Sequence, residues 1–174
     1  MTTPIINVDA LEPIPFETLS RQFGSNPPPA KIGGGMAPIG SRLGAQKLGY
    51  NLTVLAPGKC GFPFHSHSIN EEMFFVIEGS GEVRIGAAVY PLRAGDVICC
   101  PPGGPDTAHQ IVNTGSVPLR YLAVSSTQTP EICEYPDSGK FAVMHMSGRD
   151  ADGRPQGFRY VGRTGEAHDY WEGE

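Results

Sequence analysis

Between Lys47 and Ser126 the chain breaks into seven short runs rich in β-branched and aromatic residues, separated by Gly/Pro turns every 8–12 residues, and few folds accept that rhythm. The runs are Leu48–Ala56, Glu72–Glu78, Gly81–Ile85, Ala88–Leu92, Asp96–Cys100, His109–Asn113 and Leu119–Ser125. Segments this short do not sustain helices, whereas regular short strands with turn punctuation indicate an all-β sandwich, jelly roll or barrel. A helix through Asn70–Glu78 competes, because Glu71, Glu72 and Met73 are good helix formers. The run Phe74-Phe75-Val76-Ile77 favours a strand, and Gly79 and Gly81 close the segment too early for a stable helix. The turns draw on 23 glycines and 17 prolines among 174 residues, about twice the usual share. A hydrophobic fraction of 39% still suffices for one packed core, and the length suits one domain.

The flanks read differently from this central unit, residues 47–126. Residues 1–46 carry prolines at 4, 13, 15, 27, 28, 29 and 38 and the run Gly33-Gly34-Gly35, which forbid long helices. Ile5, Ile6, Leu11, Ile14, Phe16, Leu19 and Phe23 would be wasted in solvent, so the segment is expected to be an arm covering a sheet edge or a neighbouring subunit. Residues 127–174 are expected to form an irregular extension packed on the barrel or a partner. Within it, Glu134–Lys140 is turn chemistry, Phe141–Met146 offers one more strand, and the acidic tail carries Tyr170 and Trp171. A formal charge of −5 and the lack of a Lys/Arg-rich run argue against a nucleic-acid partner. No 18-residue apolar stretch spans a membrane, and the first residues lack the basic and apolar regions of a secretory signal. A cytoplasmic location with Cys60, Cys99, Cys100 and Cys133 as free thiols follows; adjacent Cys99 and Cys100 face opposite ways on a strand and make poor bridge partners.

The chemistry concentrates in two segments. In the first, His65 and His67 lie two apart, so an extended chain puts both imidazoles on one face, and Glu72 heads the next strand. The second, behind a Gly/Pro loop, delivers His109 from a neighbouring strand. Three neutral imidazoles and one carboxylate suit a borderline divalent ion such as Zn, Fe, Mn or Ni. They leave about one positive charge on the ion and one or two open positions for water or substrate. Glu71 is the alternative carboxylate, read as facing solvent. His145 and His168 are read as structural or surface residues.

These segments resemble the two motifs of the cupin superfamily. The first motif is carried by Gly58, His65-Ser66-His67, Glu72 and Gly79, with six residues between Glu72 and Gly79, which selects Glu72 over Glu71. The second is carried by Gly95, Pro101-Pro102-Gly103, His109 and Asn113. Gly58 stands one residue further from His65 than the motif has it. The insertion Gly104-Pro105-Asp106-Thr107-Ala108 lengthens the second motif, as a lid over the metal or a longer turn.

The resemblance implies a double-stranded β-helix, or jelly-roll barrel, holding one divalent metal ion through His65, His67, Glu72 and His109, and a homodimer. It implies a small-molecule enzyme, either a sugar or sugar-phosphate isomerase or an iron dioxygenase of an aromatic or aliphatic substrate; a non-catalytic small-molecule-binding module is the reading from outside enzymology. No catalytic residue beyond the metal shell is assigned. Phe74 and Val76 share the parity of Glu72, and Ile111 that of His109, so they either pack the core or line an apolar pocket suited to the dioxygenase. A sugar phosphate needs an inward cation, for which Arg84, Arg93 and Arg120 stand ready, and Cys99, if inward, neighbours the metal.

Overall fold

Along the strand 119–126, residues 119, 121 and 123 are buried and those between them are partly exposed, the period of two that a sheet with one covered face imposes. The structure, a computed structural model, describes residues 4–22, 25–149 and 155–174. Its strands are β1 (Ile14–Pro15), β2 (Gly34–Pro38), β3 (Leu48–Leu55), β4 (Ser66–His67), β5 (Glu72–Glu78), β6 (Ser80–Ile85), β7 (Ala88–Arg93), β8 (Val97–Cys100), β9 (His109–Val112), β10 (Leu119–Ser126), β11 (Glu131–Tyr135), β12 (Lys140–Arg149) and β13 (Pro155–Gly162). Two helices, α1 (Phe16–Gln22) and α2 (Gly40–Leu43), flank β2.

All strand pairs are antiparallel. One sheet runs β1-β2-β3-β10-β5-β8; a second runs β13-β12-β11-β4; a third runs β7-β6-β9 and meets the second through the bridge His65↔His109. The result is an all-β jelly roll with few helices. The main core lies inside it, where Phe74, Val76, Ile98, Cys100 and Tyr121 meet Val83, Leu92 and Ile111. Each such side chain stabilises the fold by roughly 1.5–3 kcal/mol through burial. Gly79 closes the β5–β6 turn at φ 87°, where an added Cβ would sit 2.6 Å from the Pro118 carbonyl, so both conformation and space demand glycine.

The N-terminal arm folds back on its own sheet. β1 pairs with β2 and β2 with β3, covering the β3 edge, while Ile6, Val8 and Leu11 pack over Ala37, Ile39 and Leu52 on the outer face. Phe16 enters the main core at the head of α1, whereas Phe23 lies outside the described residues.

Beyond residue 127 the structure departs from the expected irregular extension: β11, β12 and β13 form most of a sheet. The turn chemistry of 134–140 is real, a 3-10 turn at Pro136–Ser138 closed by Gly139 at φ 60°, but it joins two strands. Glu131 and Cys133 occupy the inward positions of β11, and a buried carboxylate hides the apolar alternation that marks a strand. Tyr170 and Trp171 meet edge to face and stand 83% and 72% exposed, so they do not dock on this chain's barrel. No helix among the described residues is long and apolar enough to cross a membrane.

Candidate metal centre

The extended segment Phe62–His67 runs between two strands, and each pairing fixes one histidine. The His65 and His109 backbones exchange hydrogen bonds of 3.2 and 2.8 Å, and β4 sets His67 opposite Cys133 on β11. β5 then sets Glu72 between Ser125 of β10 and Cys100 of β8. The Nε2 atoms of His65, His67 and His109 converge on Glu72 Oε2 at 3.7, 3.3 and 2.9 Å. All four predicted residues therefore meet at one point, with His109 deepest.

The far side of each ring explains the convergence. His65 Nδ1 lies 2.8 Å from the Pro63 carbonyl, His109 Nδ1 3.3 Å from the Thr107 carbonyl, and His67 Nδ1 3.3 Å from Cys133 Sγ. A partner on Nδ1 holds a ring in place and, when it accepts a proton there, leaves Nε2 with a lone pair. His67 Nε2 is buried without a hydrogen-bond partner although Glu72 is close. A buried nitrogen left open beside two further ring nitrogens and a carboxylate is a donor set that fits a divalent ion.

The electrostatics agree. Burial, with His109 alongside, lowers the His65 pKa to about 4, so that ring is neutral at neutral pH. Burial would push His67 down too, but the Cys133 sulfur and Glu72 outweigh it and raise the pKa to about 10. Burial would raise Glu72; the hydrogen bond from His109 and the nearby His67 and His65 rings override it and hold the carboxyl below the usual range. The site is thus a carboxylate among imidazoles, and an ion bound there would displace the proton that His67 holds.

Several neighbours escaped the sequence reading. Glu131 is buried, and its carboxylate accepts from the backbone amides of Ser68 (3.0 Å), Ile69 (3.2 Å), Asn70 (2.9 Å) and Ile132 (2.9 Å) and from the Asn70 side chain. It latches the loop that carries the chain from His67 to Glu72. Glu131, His67 and Cys133 lie close enough together to suggest a second metal site, but a carboxylate serving five N–H groups has little left for an ion. Tyr135, two residues beyond Cys133, stacks on His65 with ring centroids 6.3 Å apart.

Other readings resolve plainly. Glu71 faces solvent beside exposed Cys99, so Cys99 does not face the centre; the thiol opposite Glu72 is buried Cys100, pushed up to about 12 by burial with Glu72 adding. Phe74, Val76 and Ile111 pack the main core. Arg84 stacks over Phe64 and binds Asp137, Arg93 is exposed, and Arg120 bridges Asp9 and Glu78, so none of the three turns toward the centre. The 104–108 insertion folds on itself, through Thr107 N and Oγ1 to the Gly104 carbonyl, and delivers the carbonyl behind His109. Asn113 ties strand ends together, donating to the Leu55 and Val117 carbonyls and accepting from Gly115 N, each at 2.9 Å. All four cysteines are free; His145 sits by Phe158 and His168 by Glu172 at the surface.

A cavity of about 250 Å³ reaches Glu72 from the inner side of the first sheet. Its walls include Met36, Pro38, Ser41, Asn51 and Ser125. Asn51 Oδ1 accepts from Thr53 Oγ1 at 2.7 Å, which leaves the amide NH2 to donate, and Ser125 Oγ donates to the Ser126 carbonyl at 2.7 Å, which leaves its lone pairs to accept.

Residues 51–125 match the family model described as Cupin domain. Among curated relatives, an uncharacterized protein of Methanocaldococcus jannaschii is 36% identical over 35% of this chain and 46% of its own length. A glucose-6-phosphate isomerase of Thermococcus onnurineus is 33% identical over 44% of this chain and 46% of its own length. The chain spans about half the length of the curated relatives it matches. Among solved structures, a sugar phosphate isomerase from a cupin superfamily, from Silicibacter pomeroyi, superposes with a TM-score of 0.70 at 23% identity, covering 94% of this chain and 95% of that one. At that identity the likeness concerns the fold.

Proposed function

Residues 51–125 form a cupin domain, and from that premise we propose that the chain is a metal-dependent isomerase of a small, hydroxylated, sugar-type molecule. The observation that carries this reading is the chemistry of the cavity at Glu72: an amide donor on Asn51 and hydroxyls on Ser41 and Ser125 suit a polyhydroxylated chain better than an aromatic ring. The apolar residues that would have favoured a dioxygenase, Phe74, Val76 and Ile111, are occupied with one another in the core. The glucose-6-phosphate isomerases among the relatives support the same reading.

His65, His67, Glu72 and His109 would hold the ion. Bound there, a divalent ion supplies the polarisation of a carbonyl and its neighbouring hydroxyl that eases transfer of a proton between adjacent carbons. The chain's own residues do the rest. Asn51 donates to and Ser125 accepts from substrate hydroxyls, fixing the open chain against Glu72, while Phe74, 5.5 Å from His109 between ring centroids, keeps water from beneath the ligands.

Elemental analysis of protein purified without added metal, followed by NMR screens of aldose–ketose interconversion, tests the reading. About one transition-metal ion per chain and interconversion of a sugar or sugar phosphate are expected. Oxygen uptake with catechols or β-diketones in place of interconversion would transfer the protein to the dioxygenases, and metal without either turnover to the binding modules. The proposal includes a homodimer. Because the arm stays on its own sheet, the contact falls on the exposed outer face of the second sheet, at Ile132, Phe158 and Tyr160. A monomeric mass by light scattering would overturn that part.

A further inference from the structure

The three arginines weighed from sequence turn away from the centre, yet two other cations stand beside it. On β11 the inward positions are Glu131, Cys133 and Tyr135, so Tyr135 lies on the face that looks into the barrel, its ring nearly parallel to His65 at an interplanar angle of 24°. Its cross-strand partner is Lys140 of β12, whose ammonium hangs over the Tyr135 ring 5.9 Å from the centroid. On β13, Arg159 stands opposite Met144, on the same face of the sheet as Tyr135 and Lys140, and its positive charge acts on the Tyr135 hydroxyl. Two positive side chains from separate strands thus meet at one tyrosine, and that tyrosine touches a residue of the proposed metal shell. The nearby acid, Asp137, is already held by Arg84 at 3.0 Å through both oxygens, and among the described residues Lys140 has no carboxylate within 4.0 Å.

We propose that Tyr135, Lys140 and Arg159 form an anion subsite that takes the phosphate monoester of the substrate. The inference rests on the isomerase reading for the other end of that substrate. A planar guanidinium, a mobile ammonium and a phenol together match the several acceptor oxygens of a phosphate and its double charge; a neutral hydroxyl would gain little from the two cations. The distances suit it. An extended chain advances about 1.2 Å per bond, as a polypeptide does, so a five- or six-carbon sugar with its ester oxygen covers roughly 8 Å. Lys140 and Arg159 lie one tyrosine ring beyond His65, which sets such a chain with its carbonyl end at the metal shell and its phosphate at the barrel rim.

Calorimetric titration with glucose 6-phosphate and with glucose tests the proposal, on the protein as purified and after chelation, and on Lys140→Ala/Arg159→Ala. The phosphorylated probe is expected to bind at least tenfold tighter than glucose, before and after chelation, because the subsite does not need the ion. The double variant should lose that difference while keeping metal content and melting temperature, since both side chains are exposed. Equal binding of the two probes by the natural protein, or a phosphate preference that survives in the double variant, overturns the subsite. A preference lost in the double variant with no isomerisation of any sugar leaves the subsite standing and removes the isomerase reading; isomerisation without phosphate preference does the reverse.

Discussion

His65 and His109 are held from within their own loops, each by a carbonyl two residues upstream, whereas His67 is held by a sulfur 66 residues further along the chain. The same loop difference appears in the backbone. His65 and His109 pin each other through a pair of main-chain hydrogen bonds, while the segment after His67 is latched by Glu131 of a distant strand. Two sides of one centre are therefore built differently: the rings of His65 and His109 are set by carbonyls of their own loops, while His67 and the segment after it depend on a strand that arrives later in the chain.

The comparison can be broken at several points. His67→Ala should abolish stoichiometric metal, read by elemental analysis; full metal content in that variant would remove His67 from the shell and the comparison with it. Glu131→Ala leaves four backbone amides of the loop and of β11 without their acceptor, and should cost about 3–5 kcal/mol in denaturant unfolding, with metal lost in step. An effect below 1 kcal/mol would show that the loop does not need its latch. Cys133→Ala should weaken metal affinity about 10- to 100-fold with little change in fold, and Cys133→Ser, which keeps an acceptor for Nδ1, should recover most of it. Equal affinity in all three proteins would make the sulfur a bystander.

The smallest effect concerns the local side. An unfolded chain takes a proton on His65 near pH 6.5, and the buried ring refuses it until about 4. Between those values the unfolded state binds more protons, so the chelated protein should lose stability as the pH falls through that window. His65→Gln should flatten the slope in thermal melts; an unchanged slope would assign it elsewhere.

How far this was legible from sequence follows the same division. The strands from Leu48 to Ser126 announce themselves because their inward residues are apolar and their turns carry Gly and Pro. The four converging residues were legible because motif spacing is a local property. β11 was not, since its inward positions hold Glu131, Cys133 and Tyr135, whose polarity mimics a surface segment until the donors of the 68–70 loop and the ring of His65 are set beside them. The sequence left Phe74 and Val76 open between core and cavity for a related reason: they share parity with Glu72, but parity fixes a face, and depth along the strand decides between the two. Asn51 and Ser125, which do border it, sit on strands that register brings to Glu72 only through β3 and β10.

The reach of the Glu131 latch has a consequence in time. As the polypeptide leaves the ribosome, a nascent chain that has emerged through Ser126 already carries every imidazole and carboxylate of the centre. It has neither the clasp on the 68–70 loop nor the sulfur behind His67. An ion taken up by this centre would therefore wait on β11, the strand that brings both.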